Sequence, residues 1–72
     1  MVPKPGDVLI RRWSGHRFEL LDAVAHERLG IARTETSIMA LAATYRGAVW
    51  QQDIGSDDQP AGPPVCILPA AS

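Results

Sequence analysis

Asp22-Ala23-Val24-Ala25-His26-Glu27-Arg28-Leu29-Gly30-Ile31-Ala32-Arg33 is the stretch whose conformation decides the fold. It has two readings. Its alanines, Leu29 and charged residues have fair helix propensity, and Gly30 could end a helical turn. It could instead turn at Asp22-Ala23 and run as a short strand from about Ala25 to Leu29. An isolated helix this short is weak, and a two-stranded hairpin rarely stands alone. A third strand answers both points and is the favoured reading.

Upstream, Val8 to Trp13 carries the β-branched and aromatic content of a strand, and Arg17-Phe18-Glu19-Leu20-Leu21 carries that of a second. Ser14-Gly15 between them is a turn signal. A two-residue loop would put Arg11 opposite Phe18. A three-residue loop, Ser14 to His16, pairs Arg12 with Phe18, Arg11 with Glu19, Ile10 with Leu20 and Trp13 with Arg17. Val8, Ile10, Phe18 and Leu20 then share one face, because strand side chains alternate. The other face gains an Arg11–Glu19 ion pair and a Trp13–Arg17 cation–π contact. The three-residue loop separates apolar from polar better and is preferred.

Downstream, Thr34 or Thr36 can cap a helix expected over Thr36 to Arg46, with Glu35 near its positive end. Ile38, Leu41, Ala42 and Tyr45 follow helical spacing and form one apolar stripe. Arg46 complements the helix end and Gly47 stops it. Ala48 to Ile54 reads as a strand, tight enough after the helix to pack beneath it. Gly55 to Pro64 is a loop. Val65 to Leu68 can return as an edge strand beside Trp50, bracketed by Pro63, Pro64 and Pro69. The chain is therefore read as one α+β domain over residues 1–72. Its mainly antiparallel sheet has three to four strands, with one α-helix packed on one face. The order is β-β-β-α-β with an additional C-terminal edge strand. The ordered core spans about residues 7–68, and 1–6 and 69–72 are expected to be flexible ends. The expected core is Val8, Ile10, Phe18, Leu20, Ile38, Leu41, Ala42, Tyr45 and one face of the Val49–Ile54 strand.

Seventy-two residues make one domain, burying about 60% of the surface of its unfolded chain. Cys66 is the only cysteine, so no disulfide forms within the chain. Its neighbours Val65, Ile67 and Leu68 supply no cation to activate it, so it reads as a small buried apolar residue. A lone cysteine, short broken apolar runs and an N-terminus without an apolar signal region place the protein in the cytoplasm, away from membranes.

The formal net charge is −1, with no global pull towards nucleic acid. Residues 1–17 nevertheless hold Lys4, Arg11, Arg12 and Arg17 against Asp7, while residues 48–72 hold Asp53, Asp57 and Asp58 and no Lys or Arg. His16 and His26 lack partners at metal-ligand spacing. Ser14 and His16 lie on a turn open to water, poor ground for a nucleophile and its base. No catalytic, cofactor or metal site is assigned. Arg11, Arg12, Trp13, His16 and Arg17 cluster on the hairpin and form the candidate surface for a partner or for nucleic acid. A basic ribbon can enter a major groove, and aromatics on a sheet can stack on bases. The acidic second half counts against nucleic acid, so the favoured function is a non-catalytic interaction module that binds a protein partner or self-associates. Trp13 is the tryptophan expected at the surface, and Trp50 the one expected in the core.

Arg17-Phe18-Glu19-Leu20, the alanine-rich Thr34 to Ala43 and Gly47-Ala48-Val49-Trp50-Gln51-Gln52 together resemble small uncharacterised bacterial proteins of unknown function with strand-strand-strand-helix-strand order. The resemblance implies that fold and carries over no site residue.

Overall fold

The hairpin forms with the three-residue loop. In the computed structural model, which describes residues 2–70, β1 (Val8–Trp13) and β2 (Arg17–Asp22) pair antiparallel with Ile10 opposite Leu20 and Trp13 opposite Arg17. Gly15 and His16 both take left-handed backbone, φ 87° and 62°, to close the loop.

Asp22 sets the turn after β2. Its carboxylate accepts the N–H groups of Val24 and Ala25 at 2.9 and 2.8 Å. Its backbone N–H donates to the Glu27 carbonyl at 2.9 Å, and its carbonyl accepts the His26 N–H at the same distance. His26 takes φ 60° to complete the turn. The segment is thus a turn and then a strand, as favoured, but the strand starts later than expected. β3 is Arg28–Ala32, antiparallel to β2 with a register shift at Leu20/Leu21. Gly30 ends no helical turn. It lies within β3, where an added Cβ would overlap the end of the Leu41 side chain from the helix above.

The helix α1 spans Glu35–Ala42, shorter at its C-terminus than the expected Thr36 to Arg46. Thr34 is the cap, its hydroxyl accepting the Ser37 N–H at 3.1 Å. Past Ala43 the coil tightens: Thr44 and Tyr45 N–H donate to Leu41 and Ala42, and the Thr44 hydroxyl donates to the Leu41 carbonyl at 2.8 Å. Tyr45 therefore leaves the apolar stripe and is exposed rather than core, and Arg46 lies beyond the helix.

β4 (Val49–Ile54) runs parallel to β1, with Val8 beside Val49 and Trp13 beside Ile54. β5 (Val65–Leu68) pairs antiparallel to β4, with Cys66 opposite Trp50. The sheet order is β3-β2-β1-β4-β5, one strand more than the largest sheet expected before the edge strand is counted. The helix packs on β2, β3 and β1 rather than squarely on β4, the strand it leads into. Val49 still joins the helix-side cluster with Val8, Ile10, Phe18, Leu20, Ile38 and Ala42. A second cluster on the opposite face unites Leu9, Leu21, Ala23, Ala48 and Trp50, with half-buried Cys66 against it. Two-sided burial accounts for the unbroken apolar run Val8-Leu9-Ile10, since a central strand has no solvent face. Leu9, Ile10, Leu20 and Ile38, all at most 2% exposed, each contribute about 1.5–3 kcal/mol of burial.

Asp7 ties these parts together. Its carboxylate accepts the Lys4 N–H at 3.0 Å, the Ala48 N–H at 2.9 Å and the Trp50 indole N–H at 3.0 Å. Its backbone donates to the Lys4 carbonyl and accepts from Ala23, both at 3.0 Å. Within the end expected to be flexible, Lys4 is thus bonded to Asp7. Met1, Ala71 and Ser72, also in those ends, lie outside the described residues. The Lys4 N–H first, then the Trp50 and Ala48 N–H groups, hold the Asp7 carboxyl below its usual range against the opposing effect of burial. Asp22 is lowered likewise, by the Ala25 and then the Val24 N–H.

Both folded pKa values lie below the unfolded one. Their stabilisation is therefore present above about pH 4 and is lost as pH falls through the lower folded values. Thermal melts followed by circular dichroism are expected to be flat from neutral pH to about pH 4 and to fall steeply below it. Asp7→Asn presents an amide where three donors converge. It is expected to cost about 2–3 kcal/mol at pH 7 and to flatten the acid limb of the same melts. Gly47 supplies a second constraint, since a Cβ there would overlap the Gly6 carbonyl and come 2.7 Å from the Asp7 Cα. Urea unfolding of Gly47→Ala is expected to show a loss of about 3 kcal/mol, whereas Gly30→Ala, which meets only a side-chain tip, should stay within about 1 kcal/mol of the parent.

Candidate functional site

Two surfaces compete for a functional role: the basic hairpin and the outer edge at β5. The hairpin residues do not form one patch. Strand alternation sends Arg11 and Trp13 to the face away from the helix and Arg12 to the helix side, at the rim beside Phe18. His16 is exposed at the loop. Arg17 lies over Trp13 with its guanidinium carbon 4.2 Å from the ring centroid, as the register requires. Trp13 is half-buried, with one ring face taken by that cation.

The parallel β1–β4 register sets Arg12 beside Asp53, and their side chains form an ion pair at 3.2 Å. The locally basic start and the acidic second half thus lie side by side in the sheet. The expected Arg11–Glu19 pair does not form. Arg28 on the outer strand β3 takes Glu19 at 2.8 Å. Its own side chain stays 65% exposed, so its guanidinium remains largely hydrated, whereas an Arg11 partner on the inner strand would be desolvated further. The Arg11 Nε is buried without a hydrogen-bond partner among the described residues. A groove of about 450 Å³ beside the hairpin is lined by Arg12, Trp13, His16, Phe18 and Arg33.

The edge at β5 differs. β5 is the outermost strand, and Val65, Ile67 and Leu68 are exposed on it. Hollows flank it on both faces. One, about 310 Å³, lies on the helix side between Gln51, Pro63, Val65 and Ile67. The other, about 260 Å³, lies on the opposite face among Val2, Ala48, Trp50, Cys66 and Pro69, with Asp7 and Lys4 at its wall. The Cys66 thiol donates to the Leu68 carbonyl at 3.4 Å. Apolar side chains on an edge strand, with a hollow on each face, are what an added extended segment requires, because its side chains alternate between faces. The signal for this edge was in the sequence as Val65-Cys66-Ile67-Leu68 between prolines. The exposure of its side chains was not, because it depends on the helix sitting over the other half of the sheet.

Among the described residues no three His, Cys, Asp or Glu side chains converge as metal ligands, and no helix is long and apolar enough to cross a membrane. Arg11→Met should leave thermal stability unchanged or raise it by up to about 1 kcal/mol, since it removes a buried unpaired Nε and keeps the apolar stem. Arg28→Ala should lower it by less than about 1 kcal/mol, the scale of an exposed ion pair. Both are read by thermal melts at neutral pH.

No family model, curated protein or solved structure matches this chain.

Proposed function

We propose that this chain is a non-catalytic interaction module whose working surface is the outer edge of its sheet at β5. The observation that carries this reading is the exposure of Val65, Ile67 and Leu68 on an edge strand with a hollow on each face. An extended segment added there gains main-chain hydrogen bonds from the strand and side-chain contacts in the hollows. Nucleic-acid binding through Arg11, Arg12, Trp13, His16 and Arg17 is the weaker reading. Arg12 is neutralised by Asp53, and Arg17 covers the ring face that a base would use. The single cysteine supports a reducing compartment, and we place the module in the cytoplasm.

Amide chemical-shift mapping separates the two surfaces. Titration with a synthetic alternating valine–threonine peptide of about eight residues should move the Val65 to Leu68 amides more than any others. Titration with short single- and double-stranded DNA at low salt should leave the Arg11 to Arg17 amides unmoved. DNA shifts on that hairpin that fade steeply with salt would replace the edge reading with the nucleic-acid one.

A further inference from the structure

The face of the sheet away from the helix is built in rows, because residues directly opposed in a ladder point the same way. Leu21, Leu9, Trp50 and Cys66 make one row across β2, β1, β4 and β5, and it packs together as the second cluster. The next row runs Ile31, Glu19, Arg11 and Gln52 across β3, β2, β1 and β4. Its polar members do not satisfy one another. Glu19 turns outward to Arg28 at 2.8 Å. The Gln52 side-chain N–H turns the other way, to the Gly62 carbonyl at 2.9 Å. Arg11 stands between them. Its Nε is buried without a hydrogen-bond partner, and among the described residues it takes part in no ion pair. A covered donor with no acceptor is a cost that the fold does not recover. Ile31, at the end of the same row, is 65% exposed.

We propose that Arg11 receives the carboxylate of an acidic side chain on a protein partner that lies across this face. The neighbours of Arg11 are each drawn away from it, so the acceptor it lacks has to come from outside the chain. Charge selects a single carboxylate. Arg11, Glu19 and Arg28 carry a net +1, which one carboxylate brings to zero. A nucleic-acid strand adds a charge at every phosphate and would set the surplus against Glu19.

Span selects a protein segment over a small acid. Ile31 lies two strands from Arg11, about 10 Å away at ordinary strand spacing. A small carboxylate reaches one of the two and not both. Residues seven apart on a helix are separated by about the same distance and share a stripe. A helix is also the element that covers a bare sheet face in layered domains. The one helix among the described residues packs on the other face. The partner is therefore an amphipathic helix that presents an acid to Arg11 and an aliphatic residue to Ile31. This surface lies apart from the β5 edge.

The probe is a helical peptide based on alanine and glutamine, with one glutamate and a leucine seven residues from it. Its control carries glutamine in place of the glutamate. Each is titrated to about 1 mM at low salt into the isotope-labelled chain, followed by amide and arginine side-chain shifts. The glutamate peptide should move Arg11, Glu19 and Ile31, and the control should bind at least about tenfold more weakly. Added salt should erode that difference. Arg11→Met, which keeps the thermal melt, should abolish the preference for glutamate. Ile31→Ser, at an exposed position, should weaken both peptides alike. Equal binding of the two peptides, a preference that survives in Arg11→Met, or no shift at Arg11 and Ile31 overturns the proposal. Shifts confined to Val65 to Leu68 overturn it too, and leave the edge reading standing.

Discussion

One carboxylate organises this small sheet. Asp7 sits just before β1 and receives three N–H groups from Lys4, Ala48 and Trp50, while its backbone holds Ala23 and Lys4. Those contacts reach the N-terminal turn, the end of β2, the start of β4 and the largest side chain of the second core cluster. The parallel β1–β4 pair depends on them. Its two strands are separated in sequence by β2, β3 and the helix, so no tight turn sets their register. The Ala48 N–H on Asp7, with the Val8 N–H on the Ala48 carbonyl, sets it instead. Gly47 completes the constraint, because only a residue without a side chain lets that backbone approach Gly6 and Asp7 so closely. A buried carboxylate is costly unless its oxygens are occupied, and here each accepts at least one N–H.

The same register reshapes the electrostatics. Along the chain the charges are segregated, basic early and acidic late. In the sheet the two halves are neighbours, and Arg12 meets Asp53 directly. Arg17 lays its cation over Trp13, and Arg28 pairs with Glu19. A sequence-level dipole thus becomes a set of local pairs. Exposed aliphatic side chains lie at both sheet edges, Leu29 and Ile31 on β3 and Val65, Ile67 and Leu68 on β5.

The legible parts of the fold are those governed by neighbours in sequence. Alternation between Val8 and Leu20 contained the hairpin register, because only the three-residue loop collects four apolar residues on one face. Val65 to Leu68 was legible as an edge strand from its prolines. Trp50 was legible as core, though not as one centre of a second cluster. The misplaced elements were governed by specific side-chain hydrogen bonds. Asp22 draws two N–H groups into its turn and delays β3 to Arg28, and the Thr44 hydroxyl draws the helix end to a close before Tyr45. Periodicity carries no trace of either bond. The Arg11–Glu19 pair failed for a related reason: opposition in a ladder makes an ion pair available, but a partner on an outer strand forms it with less desolvation. The candidate surface was harder still, since exposure at β5 depends on where the helix lands across the sheet.

That landing point also sets how each edge is covered. The helix covers one face of the β1, β2 and β3 side, while Ile31 of β3 stays exposed. β5 has no layer above it, and Val65, Ile67 and Leu68 contribute little to the interior from where they stand. Charged or polar residues at those three positions would leave both core clusters intact and would remove an aggregation hazard. Stability alone gives no reason for them to be aliphatic. The length of β5 argues the same way. Four residues between prolines are too few to template an open-ended stack, yet they offer enough apolar surface to be worth covering once.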